Sequence, residues 1–485
     1  MKTPILGSSY VARSVNAADN RMVNLFPEIV PEAGKEPAFL QRCPGLRPIA
    51  IADNNSSIRG MHTFGGFLYF VSGNFLYRTA GFGFGFNEVF LGNVSGTGPV
   101  SMSDNGTQLF VACNPDAFIY NSSTGVFGQI TDPDFPGAVT VGYLDGYFVF
   151  NEPNSQRFWV TSLNDGTAID PLDFASAEGN PDDVVSLIVD HREVWLFGNN
   201  TIEVWYNAGL ADFPLARIDG AFMETGCLAP YSVAKLDNSV FWLGSDARGN
   251  GIVYRNQGYN AQRVSTHAIE WQIQQYNVLN DAIGYSYQQD GHSFYVLTFP
   301  TAQATWVFDV STGAWHERAF WNGTNYERYR GNCQANFANQ VLVGDYENGR
   351  IYALDPDYNL DGFGANEFRP IRWLRSWRAL PAGQNNLKRT AHHSLQLDCQ
   401  TGVGLNTGQG SDPRVMLRWS DDGGHTWSNE HWASMSKLGE YGNRVIWRRL
   451  GMTTELRDRV YEVSGTDPVK IAIMGAELSV TPTSA

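Results

Sequence analysis

The sequence predicts an all-β protein: a six- or seven-bladed β-propeller followed by a C-terminal β-sandwich-like domain. Three observations predict it. A turn-and-strand unit recurs about every 45 residues, a spacing typical of propeller blades. The composition, with 50 Gly and only 17% charged residues, suits short strands joined by tight turns. The repeat breaks near residue 362, where the charge of the chain also changes sign.

The recurring unit is a polar or glycine turn followed by an apolar strand. Its seven copies are spaced by 40 to 53 residues and begin at Gly65, Asn105, Asp145, His191, Asp237, Asp290 and Ala338. A single blade leaves both faces of its sheet uncovered, whereas a closed ring of blades covers the faces and protects the edges. Seven copies allow six or seven blades, because one hairpin can belong to a shared closing blade. Only the stretch HAIEWQIQQYNVL suggests a short helix.

The chain divides into three parts by composition. Residues 1–45 contain the proline-rich NLFPEIVPEAGKEP and are predicted to form an extended arm. Residues 46–362 are the predicted acidic propeller, and residues 363–485 the C-terminal β-domain. Residues 1–368 carry 19 Lys and Arg against 38 Asp and Glu, a net charge of −19, whereas residues 369–485 carry 15 against 11, a net charge of +4. This asymmetry indicates two regions with different neighbours.

The cysteines and the absence of targeting signals indicate a reducing compartment. Five cysteines, an odd number without any CxxC pair, predict buried free thiols: Cys43, Cys113, Cys227, Cys333 and Cys399. The first residues lack the apolar core of a signal peptide, and no stretch approaches the length of a membrane span. We therefore expect a protein that is made and folded in the cytoplasm.

The segment SDDGGHTW has the Asp-box pattern found in the hairpins of sialidase propellers. In such a turn the carboxylate accepts amide hydrogen bonds, the Ser hydroxyl adds another, and the Trp covers the apolar side. The predicted structural residues are Ser420, Asp422, Gly424, Thr426 and Trp427. A sialidase also needs an arginine cluster, a Tyr nucleophile and acidic partners inside the propeller. Because the propeller region is poor in basic residues and the single box lies outside the repeats, the sequence disfavours a glycosidase.

A second pattern is typical of calcium loops. Asp355, Asp357, Asn359 and Asp361 alternate before Gly362, but Phe368 occupies the twelfth position, where a calcium loop has its acidic ligand. The sequence favours a solvated turn over a metal site. Whether Asp357, Asn359 and Asp361 bind calcium stays open at this stage.

The stretch RPIRWLRSWR places arginine at every third position, and its Pro and two Trp favour a strand over a helix. Two interpretations stay open: an exposed strand on which Arg stacks on Trp, or a contact between subunits, where Arg and Trp are enriched. The interface candidates are Arg369, Arg372, Trp373, Arg375, Trp377 and Arg378. Neutralising Arg372 and Arg375 tests the second interpretation, because it is expected to impair assembly of the subunits.

Three segments together resemble a known family. They are NLFPE with CPGL near the start, DGHSFYVLTFPTAQATWVFDVSTGAWHER late in the propeller, and LRWSDDGGHTWSNEHWASMSKLGEYGNRVIWRRLG near the end. They resemble the tail hub, or nozzle, proteins of short-tailed phages, also described as packaged-DNA stabilisation proteins. The likeness runs over most of the chain, in order.

The resemblance implies a structural virion protein and not an enzyme, so we predict no catalytic residue and no cofactor. It also implies a homohexameric ring below the portal and its adaptor. Such a ring extends the channel through which double-stranded DNA passes during ejection, without binding it specifically, and closes that channel before infection. A tail fibre or tailspike and a plug or needle are the further partners implied, with assembly in the host cytoplasm. The alternative is a glycan-binding or sialidase-like propeller used as a tail adhesin.

Overall fold

The computed structural model describes residues 1–14, 17–32, 34–82, 87–246, 249–363, 367–384, 388–454 and 458–483. It confirms the predicted fold class: seven blades form a propeller, and a β-sandwich follows. The stretch predicted as a short helix forms His267–Gln274, capped by Thr266. The other helical segment in the described residues is a 3-10 turn, Pro230–Ser232. Neither has the length and apolarity needed to cross a membrane.

The first four blades are antiparallel four-stranded sheets formed by consecutive strands. From the axis outward, blade 1 contains Ile58–Phe64, Phe67–Ser72, Phe75–Thr79 and Glu88–Asn93. Blade 2 contains Ser101–Asp104, Gln108–Cys113, Asp116–Asn121 and Phe127–Gln129. Blade 3 contains Val141–Leu144, Tyr147–Asn151, Arg157–Val160 and Phe174–Ser176. Blade 4 contains Val184–Asp190, Glu193–Gly198, Ile202–Asn207 and Leu215–Met223.

The remaining three blades complete the ring. In blade 5 the inner position is split between two short strands, and the order is Gly226–Cys227 with Ala234–Leu236, then Ser239–Asp246, Gly249–Gln257 and Asn260–Arg263. Blade 6 contains Ile283–Gln289, His292–Phe299, Ala304–Asp309 and Ala314–Glu317. Blade 7 takes three strands from the end of the propeller and one from its start: Gly331–Phe337, Gln340–Asp345, Arg350–Asp355 and Gly45–Ile51. The ring therefore closes by antiparallel pairing of the two ends of the propeller segment.

The seven repeated turns join the first and second strands of the seven blades. In six of them both central residues have positive φ, as at His191 with φ 49° and Arg192 with φ 64°. Two-residue turns of this type match the twist of antiparallel strands. Gly, Asn and Asp fill most of these positions because they tolerate positive φ at little cost. The repeat found in the sequence is thus the hairpin that begins each blade.

The sandwich packs two sheets against each other. One sheet contains Met22–Val23, Trp373–Arg378, Val460–Gly465, Arg414–Ser420 and His431–Ser434. The other contains Val445–Arg448, Thr390–Cys399, Ala472–Pro482, Ala38–Arg42 and Leu25–Ile29, with Lys2–Thr3 paired to Ala472–Pro482. Three short hairpins lie outside these sheets: Tyr10–Val11 with Asp19–Asn20, Ala319–Trp321 with Tyr326–Arg328, and Leu360–Phe363 with Glu367–Pro370.

The N-terminal segment joins the two domains. Val23 pairs in parallel with Glu317 of the outer strand of blade 6 and antiparallel with Leu374 of the sandwich. Blade 6 and one sandwich sheet therefore form a single nine-stranded sheet. The segment predicted as an extended arm contributes strands to both sheets of the sandwich. Its residues Ile5, Met22, Leu25 and Leu40 are buried in the sandwich core.

Candidate functional site

A cavity of about 440 Å³ follows the axis of the propeller and is lined by the inner strands of all seven blades. Its ionisable lining residues include Arg59, His62 and Lys235, and no Asp or Glu lines it within the described chain. Arg59 is buried, and its guanidinium donates to the carbonyl oxygens of Gly98, Gly73 and Ser95 at 2.6, 2.9 and 3.0 Å. Most glycosidases use a pair of facing carboxyl groups. The described lining of this cavity contains no such pair.

A second pocket of about 920 Å³ lies beside the hairpin turns of blades 4, 5 and 7 and is completed by residues of blades 6 and 1. His191 links two of these turns: its Nδ1 is 2.6 Å from Asp190 Oδ2, and its Nε2 is 2.7 Å from Asn238 Oδ1. These bonds, first that with Asn238 and then that with Asp190, raise the pKa of His191 above its ordinary value. The neighbouring turn is tied in the same way, because Arg192 donates to both carboxylate oxygens of Asp145 at 2.8 and 2.9 Å. The hydrogen bonds of His191 and Arg192 thus connect the turns of neighbouring blades.

Two arginines in the propeller core lie beside tyrosines, as in a sialidase site, but neither is open to solvent. Arg318 and Arg330 are each 1% exposed. Arg330 binds both carboxylate oxygens of Asp345 at 2.7 and 3.0 Å, and Arg318 lies 5.2 Å from the ring centroid of Tyr287. An arginine that binds a substrate carboxylate must face a cavity that the substrate can enter. Arg330 instead forms a buried structural ion pair.

The Arg/Trp strand, Trp373–Arg378, lies in the interior of the nine-stranded sheet. Trp373, Arg375 and Trp377 are 1%, 1% and 0% exposed, so the interpretation as an exposed strand is wrong for these three side chains. Arg375 donates to the carbonyl oxygens of Ile5, Ser8 and Asn20 at 2.7, 3.5 and 3.3 Å. Within the chain, these residues hold the N-terminal segment. Their role in a contact between subunits stays a prediction.

The other arginines of this stretch also bind groups of the same chain. Arg372 lies 4.1 Å from the ring centroid of Trp321 and 4.0 Å from a carboxylate oxygen of Glu430. Arg378 forms an ion pair with Asp458, and Arg369 donates to the carbonyl oxygen of Asn322. Arg does stack on Trp here, although the Trp belongs to the strand Ala319–Trp321 of a separate hairpin. The sequence pattern suggested the interaction but not its partner.

The Asp-box forms a tight turn after the strand Arg414–Ser420. Asp422 Oδ1 accepts hydrogen bonds from the backbone N–H groups of His425 and Thr426 at 3.0 and 2.8 Å, and its Oδ2 accepts from Thr426 Oγ1 at 2.6 Å. Ser420 Oγ donates to Asp422 Oδ1 at 2.7 Å and accepts from Gly424 N at 2.8 Å. The bonds from Thr426, followed by that from Ser420, hold the pKa of Asp422 below its usual range. Trp427 stacks with the guanidinium of Arg418, 4.7 Å from the ring centroid.

The calcium-like residues do not converge. Asp355 forms an ion pair with Arg47 at 3.0 Å, and the amide of Asn359 donates to the carbonyl oxygen of Pro468 at 3.3 Å. Asp361 is 4% exposed, and burial raises its pKa to about 7. In the described residues, no group of three His, Cys, Asp or Glu side chains is placed to hold a metal ion. The arrangement favours a structural turn.

An exposed cluster that was not predicted from the sequence lies at the edge of the sandwich. It contains two aromatic side chains, Trp432 at 59% and Tyr441 at 72% exposure, and the exposed arginines Arg444, Arg448 and Arg449. The signal in the sequence was a stretch rich in Trp, Tyr and Arg, the residues that dominate binding energy at protein interfaces. The pattern gave no indication that these five side chains point to solvent.

Family comparison agrees with this two-domain layout. The model of the bacteriophage P22 Gp10 β-propeller matches residues 1–359, and the model of the Gp10 β-sandwich matches residues 372–481. The chain belongs to the bacteriophage P22 Gp10 family. The resemblance noted in the sequence is thereby confirmed. This family consists of structural phage tail proteins and not of enzymes, in agreement with the prediction from the sequence.

A relative of the same family is the tail hub protein gp10 of Salmonella phage P22. It is 22% identical over 460 residues, which cover 90% of this chain and 90% of that protein. Among solved structures, the chain is similar to virginiamycin B lyase from Staphylococcus aureus, with 11% identity, a TM-score of 0.43 and coverage of 64% of this chain and 98% of the other. It is also similar to the computationally designed Ika8 protein, with 14% identity, a TM-score of 0.39 and coverage of 64% and 99%. No functional conclusion follows from structural similarities of this size.

Proposed function

We propose that this protein is a tail hub subunit that forms the nozzle ring below the portal and adaptor of a short-tailed phage. The ring extends the DNA exit channel and closes it before infection. The observation that carries the proposal is membership of the Gp10 family over both domains, with a relative named as a tail hub protein. The absence of carboxylates from the lining of the propeller cavity in the described chain supports a role in shape and charge rather than chemistry.

The charge of the chain supports the role as a conduit. Duplex DNA carries about one negative charge per 1.7 Å of axis, so a basic wall would bind it and slow its passage. Each copy has a formal charge of −15, and a homohexamer of six copies would carry −90. A strongly acidic assembly lets double-stranded DNA pass without specific binding.

The partners that go with this position are the portal adaptor, a tail fibre or tailspike, and a plug or needle. The protein would reach the virion tail after folding in the host cytoplasm. The five free cysteines are compatible with that reducing compartment, because three are buried and two are partly buried. We propose the same three parts of the chain, residues 1–45, 46–362 and 363–485. The first part connects the propeller to the C-terminal domain.

Electron microscopy of purified protein and virions tests the proposal. Mixed with its adaptor, the wild-type chain should form rings in negative stain, and antibody against it should label virions at the junction of the tail with the capsid. Labelling at distal fibres, together with binding of the isolated protein to host cells or glycans, would instead support the tail adhesin. Turnover of sialosides by the pure protein would contradict the proposed structural role.

A further inference from the structure

The sandwich ends in two free strand edges that lie side by side. His431–Ser434 is the last strand of the nine-stranded sheet, and Val445–Arg448 is an edge strand of the other sheet. Two hydrogen bonds hold the edges together: Trp447 Nε1 donates to His431 O at 2.8 Å, and Asn443 Nδ2 donates to Ser434 O at 3.1 Å. The two edge strands, which end their sheets on the side away from blade 6, therefore lie next to each other.

The surface at these two edges combines exposed aromatics with unpaired cations. We call Trp432, Tyr441, Arg444, Arg448 and Arg449 the sandwich-edge patch. Over the described part of the chain, none of its three guanidinium groups has an ion-pair partner. Charges alone often protect a strand edge from unwanted pairing. Trp and Tyr at 59% and 72% exposure weaken such protection, and together with Arg they are typical of the centre of a binding surface.

A surface of opposite charge lies on the rim of blades 2 and 3. The loops DPDFP and DPLDF meet there, because Ile169 N donates to Asp132 Oδ2 at 3.3 Å. We call Asp132, Asp134, Asp170, Leu172 and Asp173 the blade-rim patch. Leu172 is 76% exposed, and the four carboxylates of these two loops form no ion pair with any described basic side chain. An exposed leucine on a loop with unpaired carboxylates complements an aromatic surface that carries arginines.

The ring order of the blades puts the two patches on opposite sides of the molecule. The sandwich continues outward from the outer strand of blade 6. In a seven-bladed ring, the side opposite blade 6 lies between blades 2 and 3. The blade-rim loops follow the outer strand of blade 2 and precede the outer strand of blade 3, so they lie on the rim. Two complementary surfaces on opposite sides of one subunit generate a head-to-tail contact, which closes into a ring at the appropriate rotation.

We propose that the sandwich-edge patch of one copy binds the blade-rim patch of the next copy. This inference rests on the proposed ring and identifies the surfaces that form it. The occupant of the sandwich-edge patch is thus a second copy of this chain. The contact places Arg444, Arg448 and Arg449 against acidic side chains, and Trp432 and Tyr441 against Leu172.

Charge reversal and charge exchange test the contact in the full-length protein. The double variants Arg444→Glu/Arg448→Glu and Asp134→Lys/Asp170→Lys should each weaken self-association by at least about tenfold, the effect expected when central interface charges are removed. Mixing the two variants should restore association, because the reversed edge of one meets the reversed rim of the other. Trp432→Ser should weaken association without a change in charge. Sedimentation velocity measures association, and circular dichroism verifies the fold of each variant.

Matched controls separate this contact from a general effect of net charge. Lys388→Glu/Lys470→Glu changes the same number of exposed charges on the C-terminal domain, and Asp212→Lys/Asp219→Lys does so on blade 4. Both should associate like the wild-type chain. Wild-type association by the two patch variants would overturn the contact, and rings in negative stain would still support the tail hub. A wild-type chain that stays monomeric at its highest soluble concentration would also overturn the contact, whereas labelling of virions would test the tail position separately.

Discussion

Arg375 Nε donates to the carbonyl oxygen of Ile5 at 2.7 Å, across 370 residues of sequence. The contact connects an interior strand of the sandwich, Trp373–Arg378, to the start of the chain. Burial lowers the pKa of Arg375 to about 10, so the side chain remains charged near neutral pH. A buried cation is tolerated only when its donors are satisfied, and three backbone carbonyls of the N-terminal segment accept from it. Arg375 therefore acts as an internal anchor of the fold.

Replacement of Arg375 by alanine should destabilise the protein. The variant leaves three carbonyl oxygens without their donor and creates a cavity beside Trp377, and we expect a loss of about 2–4 kcal/mol in the free energy of unfolding. Chemical denaturation followed by tryptophan fluorescence measures it. Lys470→Ala, an exposed position of the same domain, should change the free energy by less than about 0.5 kcal/mol. Equal stability of the Arg375 variant and wild type would rule out the anchor.

The C-terminal domain should fail to fold without the N-terminal segment. Residues 2–42 supply Lys2–Thr3, Met22–Val23, Leu25–Ile29 and Ala38–Arg42, together with core side chains such as Ile5 and Leu40. A fragment of residues 367–485 would expose those strand edges and the uncovered core to solvent. We expect the circular dichroism and NMR spectra of an unfolded or aggregated chain. Fusion of residues 1–43 to this fragment should restore dispersed NMR signals. A well-folded isolated fragment would contradict the claim that the N-terminal strands are needed to complete the sandwich.

Asp422 should stabilise the sandwich in a pH-dependent way. Its native pKa is depressed by hydrogen bonds, so its contribution is present above the ordinary pKa near 4 and is lost as pH falls toward the native value. Asp422→Ala should cost about 1 kcal/mol near neutral pH. Asp422→Asn should also flatten the acid side of the stability profile. Urea denaturation over the acidic range measures both effects, with the exposed Asn429→Ala as control. If the stability of Asp422→Asn depends on pH as that of wild type does, the hydrogen bonds to the Asp422 carboxylate do not stabilise the sandwich.

His392 should make the protein sensitive to mild acid. Its ring is 2% exposed, with Nδ1 2.8 Å from the Tyr461 hydroxyl and Nε2 3.0 Å from Thr390 Oγ1. Burial, followed by the charges of Arg459 and His393, lowers its pKa to about 3. Stability is therefore complete above the ordinary pKa near 6.5 and falls as pH decreases below it, by up to about 1.4 kcal/mol per pH unit.

The His392→Gln variant isolates this effect. It should lose less stability than wild type between about pH 6.5 and about pH 5. Over this range, an unfolded state that binds one proton more than the native state lowers the free energy of unfolding by about 2 kcal/mol. Exposed His425→Gln should behave like wild type. Identical pH profiles of His392→Gln and wild type would exclude His392 as the responsible group. Part of the remaining slope is expected from His316, whose pKa burial also lowers.

The propeller could be predicted because its signal is local. Each blade begins with a two-residue hairpin, and residues such as Asp145 and Asn339 that tolerate positive φ mark it in the sequence. The blade number stayed open because the last outer strand, Gly45–Ile51, comes from the start of the chain. Its pairing with Arg350–Asp355 spans about 300 residues, and no spacing rule indicates such a distant partner.

The parts of the candidate site that escaped prediction depend on tertiary contacts. Arg372 and Arg375 are three residues apart and look equivalent in sequence, yet Arg372 stacks on Trp321 while Arg375 is enclosed by the N-terminal segment. Hydrophobic periodicity could not reveal this difference, because Met22–Val23, the strand that pairs with Trp373–Arg378, has only two residues. The exposed position of Trp432 likewise follows from its place on an edge strand, which only the sheet order defines.

A cryo-electron microscopy map of the tail of virions that carry this protein tests the central claim most directly. The proposed hub predicts a closed ring of copies below the portal and adaptor, in which the sandwich of each copy touches blades 2 and 3 of its neighbour. Separate copies that form no ring and lie at the tips of fibres, with their propeller faces turned outward, would contradict the proposed hub.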